Sequence, residues 1–193
     1  MTELNLGEGM TFKELIFSDL LRYRSETPTW RGVITRLPFL PGLAACFVLR
    51  AQQRLFHRGH VRLAGLLRSL SVMLWSADLV PGMQVGPGLY LPHPMGVTIG
   101  IGLRIGAGVT ILQGVTAGAR EPGGAGEEFA TIGDGAILSA HAVLLGEITI
   151  GEQALVGANS VVVKDVPPCA VVLGSPARQV GTREPDDPIP GIN

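Results

Sequence analysis

Among the side chains of this 193-residue sequence, His93 is the one best placed to do acid–base chemistry. Imidazole takes up and returns a proton near neutral pH without any shift of its ordinary pKa, so a histidine can serve as general base for attack by a hydroxyl. His93 lies in the stretch LPHPMG, held between Pro92 and Pro94. Asp78 stands fifteen residues earlier. A carboxylate behind an imidazole fixes its tautomer and stabilises the imidazolium, which makes the two a candidate dyad. The other reactive types fit worse. Cys169 follows two prolines with no base beside it, His57 and His60 fall in helical sequence, and His141 occupies a glycine-like position in ILSAHA.

The elements that must position this pair declare themselves through a period of six. Ile132, Leu138, Leu144, Ile150, Val156 and Val162 recur at that step, with a small residue two places before most of them. Six matches neither a helix nor a flat strand and marks a parallel β-helix, in which one aliphatic per short strand points inward and stacks on its equivalent one coil above. The same step runs through Leu79, Val85 and Leu91, and through Ile99, Ile105, Ile111 and Ala117 in a frame displaced by two residues. His93 sits at that displacement. A second break, GAREPGGAGEEFA, predicts a protruding loop between Ala117 and Ile132. Asp78 and His93 are three residues short of one coil of three hexapeptides, so they can meet near one corner on adjacent coils. Repeats build core, and their interruptions are where function is placed.

Ahead of the solenoid the spacing predicts helices over 11–24, 41–57 and 61–75. Thr11 is the candidate N-cap of the first and Gly59 ends the second. Leu63, Leu66, Leu67, Leu70, Met73 and Leu74 are expected inside, and Arg50, Arg54, Arg58, Arg62 and Arg68 on a solvated face. The expected organisation is a helical region at 1–76, the β-helix at 77–178 and a flexible polar tail at 179–193, a mainly β protein with an α-helical cap.

Composition narrows the function. Fifteen basic and 16 acidic residues leave no basic footprint for nucleic acid and no patch for an anionic membrane. The N-terminus has no apolar signal core, and the run PFLPGLAACFVL is too short and proline-broken to span a bilayer. Two cysteines, Cys46 and Cys169, form neither a disulfide framework nor a metal knuckle, so a cytoplasmic protein without a metal is expected.

Several motifs resemble one family. ILQGVTAG at 111–118, GANSVVVKDVPP at 157–168 and VVLGSPARQVG at 171–181 are similar to segments of the serine acetyltransferases among the hexapeptide acyltransferases. The order of the cap, ADLVPG and LPHPMGVTIG is also similar to that family's. The resemblance implies a left-handed β-helix, acetyl-CoA as donor, a homotrimer or a hexamer built from two trimers, and an active site between neighbouring subunits. It places the catalytic histidine at His93 and its paired aspartate at Asp78, although the family's DIHP reads DLVP here. It also implies that Gly118, Ala119, Ala140 and Ala158 let pantetheine lie along the coil, with Lys164 near the nucleotide phosphates.

The acceptor side departs from the family. Thr27 stands where an aspartate holds the substrate amine, and Pro92 replaces the aspartate before the histidine. In the loop, Glu128 and Phe129 align with an arginine and a histidine that contact the substrate. Lost ammonium and carboxylate partners predict a hydroxyl acceptor other than free serine, such as a sugar, glycan or specialised metabolite. The alternative is serine itself in a rearranged pocket. A γ-class carbonic anhydrase would need three converging histidines, and the solenoid sequence has only His93 and His141. A non-catalytic scaffold gives no reason for Asp78 and His93.

Overall fold

The computed structural model describes residues 4–23, 27–120 and 129–184. Helix α1 (Phe12–Leu21) starts at a capping box in which the Thr11 hydroxyl accepts from the Glu14 amide and the Glu14 carboxylate accepts from the Thr11 amide. A helix absent from the sequence expectation follows, α2 (Trp30–Arg36), a short one capped by the Thr29 hydroxyl. Helices α3 (Pro41–His57) and α4 (Val61–Trp75) keep their expected bounds, joined through Gly59 at φ +81°, the left-handed conformation glycine adopts without cost.

Three faces of short strands make the coil. The first carries β1 (Asp78–Leu79), β3 (Thr98–Ile99), β6 (Thr116–Gly118), β9 (Val143–Leu145) and β12 (Val161–Val162). The second carries β2 (Gln84–Val85), β4 (Arg104–Ile105), β7 (Thr131–Ile132) and β10 (Thr149–Ile150). The third carries β5 (Thr110–Ile111), β8 (Ile137–Leu138), β11 (Leu155–Val156) and β13 (Ala170–Gly174). All pair in parallel except the closing strand β14 (Ala177–Thr182), which folds back antiparallel on β13.

The register locates both interruptions. Thr98 pairs with Thr116 and Val143 with Val161, the 18-residue step of three hexapeptides. Asp78 pairs with Thr98, a step two residues longer, and the excess lies in the turn containing His93. Thr116 pairs with Val143, a step nine residues longer, and the excess lies in the loop before Thr131. The inward aliphatics stack as the period requires, none of them more than 6% exposed from Leu79 through Val162. Each such side chain taken from water contributes about 1.5–3 kcal/mol.

Three expectations fail. Arg50 is not on a solvated face. It is 2% exposed, pairs with Asp19 and donates to the carbonyls of Val85 and Gly86, while Asp19 also accepts from the Leu89 amide. Helix α4 does not bury its leucines: Leu63, Leu66, Leu70, Met73 and Leu74 face outward, Met73 with 83% of its surface exposed. Only Ala64 and Ser71 of that helix are buried, because its small residues are what approach the chain. The flexible tail expected from 179 does not hold at its start, since pairing with β13 carries β14 to Thr182. Residues 185–193 lie outside the described part.

Candidate functional site

The turn that carries His93 is anchored at its start. The Tyr23 hydroxyl donates to the Leu91 carbonyl at 3.1 Å and accepts from the Leu91 amide at 3.3 Å. Burial keeps that phenol neutral by pushing its pKa far up. Its ring meets Tyr90 edge-on at 4.8 Å. Helix α3 reaches the same point through Gly42, where a Cβ would stand 1.7 Å from the Leu91 carbonyl oxygen. The cap therefore grips the chain two residues before His93. Pro94 is buried beyond it, and the imidazole between is exposed.

A ladder of backbone bonds climbs from that turn along the corner leading into the first face. The Gly114 amide donates to Met95, the His141 amide to Gln113, and the Asn159 amide to Ala140. Gly96, Gly114, His141 and Asn159 all take the left-handed conformation there. The His141 ring lies over Gly114, whose Cβ would come 2.2 Å from Nδ1. His141 is thus a corner residue, as expected, in the same column as the His93 turn. Ala140 and Ala158 stand beside it with small, accessible side chains.

The opposite edge of the first face holds the remaining donor-side candidates. Gly118 ends β6 with nothing within 4 Å of where a side chain would stand, and Ala119 is exposed. Arg120 crosses Gly146 and donates to the Val163 carbonyl next to Lys164. Lys164 shares a cavity of about 260 Å³ with Arg178, a second cation brought there by the β13–β14 hairpin and not singled out by the sequence. Small side chains leave this edge open, and two cations stand at its C-terminal end. A larger groove of about 950 Å³ runs along the second face between Arg104, Asp134 and Glu152, away from His93.

The acceptor candidates do not converge within one chain. Pro92 is next to His93, but Phe129 sits at the opposite edge, its ring laid on Gly102 and packed against the core. Thr27 is exposed just before α2, and Glu128 lies outside the described residues.

Asp78 has a partner that the sequence did not disclose. Its two carboxylate oxygens accept from Arg68 of α4, Nε at 2.5 Å and Nη2 at 2.8 Å. Hydrogen bonding to Asp78 raises the Arg68 pKa above its ordinary value. No hydrogen bond joins Asp78 to His93 among the described residues. The register sets Asp78 beside Thr98, five residues after His93, so both belong to the same edge of the first face. The cysteines take no part in this site. Burial pushes the Cys46 thiol up, and Cys169 occupies a left-handed corner near the C-terminal end of the coil.

No protein-family model matches the chain. Individual relatives do. The serine acetyltransferase of Mycobacterium tuberculosis is 40% identical over 167 residues, covering 86% of this chain and 72% of its own. Against three serine acetyltransferases of Arabidopsis thaliana, 34–36% identical, this chain spans about half of their length. Soybean serine acetyltransferase complexed with serine superposes with a TM-score of 0.79 at 36% identity, over 88% of this chain and 69% of that one. The Brucella abortus enzyme in complex with coenzyme A superposes at 0.78 with 29% identity, over 88% and 68%. The coil shared with these structures is the left-handed β-helix. A relative this similar across nearly the whole solenoid leaves one conclusion: the chain belongs to the serine acetyltransferase family of hexapeptide-repeat acyltransferases, whose co-substrate is acetyl-CoA.

Proposed function

We propose that this chain transfers the acetyl group of acetyl-CoA to the side-chain hydroxyl of L-serine, with His93 as general base and Asp78 as its paired carboxylate. The observation that carries the reading is the 40% identity across 86% of the chain to a serine acetyltransferase. The thioester supplies an acyl carbon activated for attack. His93 takes the hydroxyl proton as the new C–O bond forms and returns it to the sulfur as the C–S bond breaks, so one imidazole serves both halves of the exchange. Asp78 balances the charge that His93 carries between the two transfers. Ala140, Ala158, Gly118 and Ala119 would lie along the pantetheine, with Lys164 and Arg178 at the phosphates.

Serine replaces the sequence-based expectation of a different acceptor. That expectation rested on Thr27, Pro92, Glu128 and Phe129 as a rebuilt pocket, and Phe129 spends its ring on Gly102 instead. The lost charge partners still favour a neutral hydroxyl compound as a second reading. Thiol release from acetyl-CoA with serine against a panel of sugars and hydroxylated metabolites separates the two. Serine should give the highest kcat/KM. A neutral acceptor at least about tenfold better, or 1.4 kcal/mol in transition-state stabilisation, overturns the reading.

The site's assembly is part of the proposal. His93 is exposed, Gly118 and Phe129 lie across the first face from it, and α4 presents an uncovered apolar stripe. These features support a homotrimer, with two trimers joined through the cap as the larger form, in which one copy's His93 edge meets a neighbour's loop edge. Sedimentation equilibrium giving a fully active monomer would refute it.

A further inference from the structure

We infer that Arg68 is a positioning residue for the catalytic carboxylate, a role the family resemblance does not assign. The inference rests on the reading of Asp78 as the partner of His93.

Helix α4 ends at Ser76, whose φ of 52° turns the chain back on itself. Ala77 is buried, and the Asp78 amide donates to Val97, which docks Asp78 on the coil that holds the His93 turn. This reversal sets the last turns of α4 alongside β1. Arg68, ten residues before Asp78, then reaches the carboxylate with two nitrogens in the fork geometry of a guanidinium. A carboxylate alone at the end of a two-residue strand is free to rotate about its side-chain bonds. Held at both oxygens it has one orientation, and each oxygen still has a second lone pair open to another donor. An imidazole N–H approaching from the His93 turn would find that lone pair already aimed.

Stability does not account for the pair. The two side chains are 41% and 33% exposed, which is the regime where an ion pair adds little to folding. The contrast is Arg50–Asp19, with 1% and 0% exposed, which bolts the cap to the first coil. One pair holds the fold. The other holds an orientation.

The test is a double-mutant cycle on the full-length protein, using Arg68→Met, Asp78→Asn and their combination, with Arg68→Lys as the conservative variant. Arg68→Met should lower kcat about threefold to tenfold at unchanged KM for acetyl-CoA and acceptor, and leave the melting temperature within about 2 °C. In the Asp78→Asn background the same change should have no further effect, because there is no carboxylate left to aim. Lys, which keeps the charge and loses the fork, should recover part of the activity. An equal loss in both backgrounds makes Arg68 merely structural and overturns the inference. A rise in kcat on Arg68→Met overturns it too, since Arg68 would then restrain Asp78. So does wild-type turnover in Asp78→Asn. Failure of the wild type to acetylate serine tells only against the acceptor. The cycle is then read on acetyl-CoA hydrolysis by water, which calls on the same base.

Discussion

Replacing Asp19 with asparagine isolates what fastens the helical cap to the solenoid. Asp19 and Arg50 are closed off from solvent, and Arg50 also satisfies the Val85 and Gly86 carbonyls. The amide side chain keeps the volume and removes the charge, leaving a guanidinium 2% exposed with neutral partners only. Removing one member of a buried pair costs about 3–5 kcal/mol, because the other charge stays desolvated. At about 2–4 °C per kcal/mol for a chain this long, the melting temperature should fall by about 6–20 °C. Differential scanning calorimetry at one protomer concentration is the assay, since assembly makes the midpoint concentration-dependent. The double variant Asp19→Leu with Arg50→Met should recover only part of the loss, since it removes the stranded charge but leaves the Val85 and Gly86 carbonyls and the Leu89 amide without their partners. A single Asp19→Asn variant melting within about 2 °C of wild type would refute the reasoning, by showing that Arg50 finds other compensation.

His93→Ala should lower turnover by about 10² to 10⁴ while coenzyme A binding by calorimetry stays intact; wild-type turnover would move the base elsewhere, His141 being next in the same corner column. Gly118→Leu fills open space and so should leave the melting temperature within about 2 °C of wild type, while raising KM for acetyl-CoA at least about tenfold; an unchanged KM removes Gly118 from the donor track.

What the sequence disclosed and what it hid divide along a physical line. The six-residue period specified the core because each inward aliphatic meets its own kind one coil away, so the pattern contains both partners of every contact. The two breaks in that period were equally legible, and the longer register steps place them at the His93 turn and the loop before Thr131. Helical spacing is weaker evidence, since it reports that a face exists and not what covers it. The leucines of α4 read as core and stand outward, because the residues that α4 buries are the small Ala64 and Ser71. Arg50 and Arg68 both read as arginines of a solvated helix face and end in different environments. The first faces Asp19 across the packed pair of α1 and α3, and the second faces a carboxylate delivered by the reversal at Ser76. Neither partner is a near neighbour on its own helix, so no local pattern could name it. The proposed base, His93, was visible because it stands at an irregularity in the repeat. The Arg68–Asp78 contact was not, because a single left-handed residue between helix and strand decides what Arg68 touches.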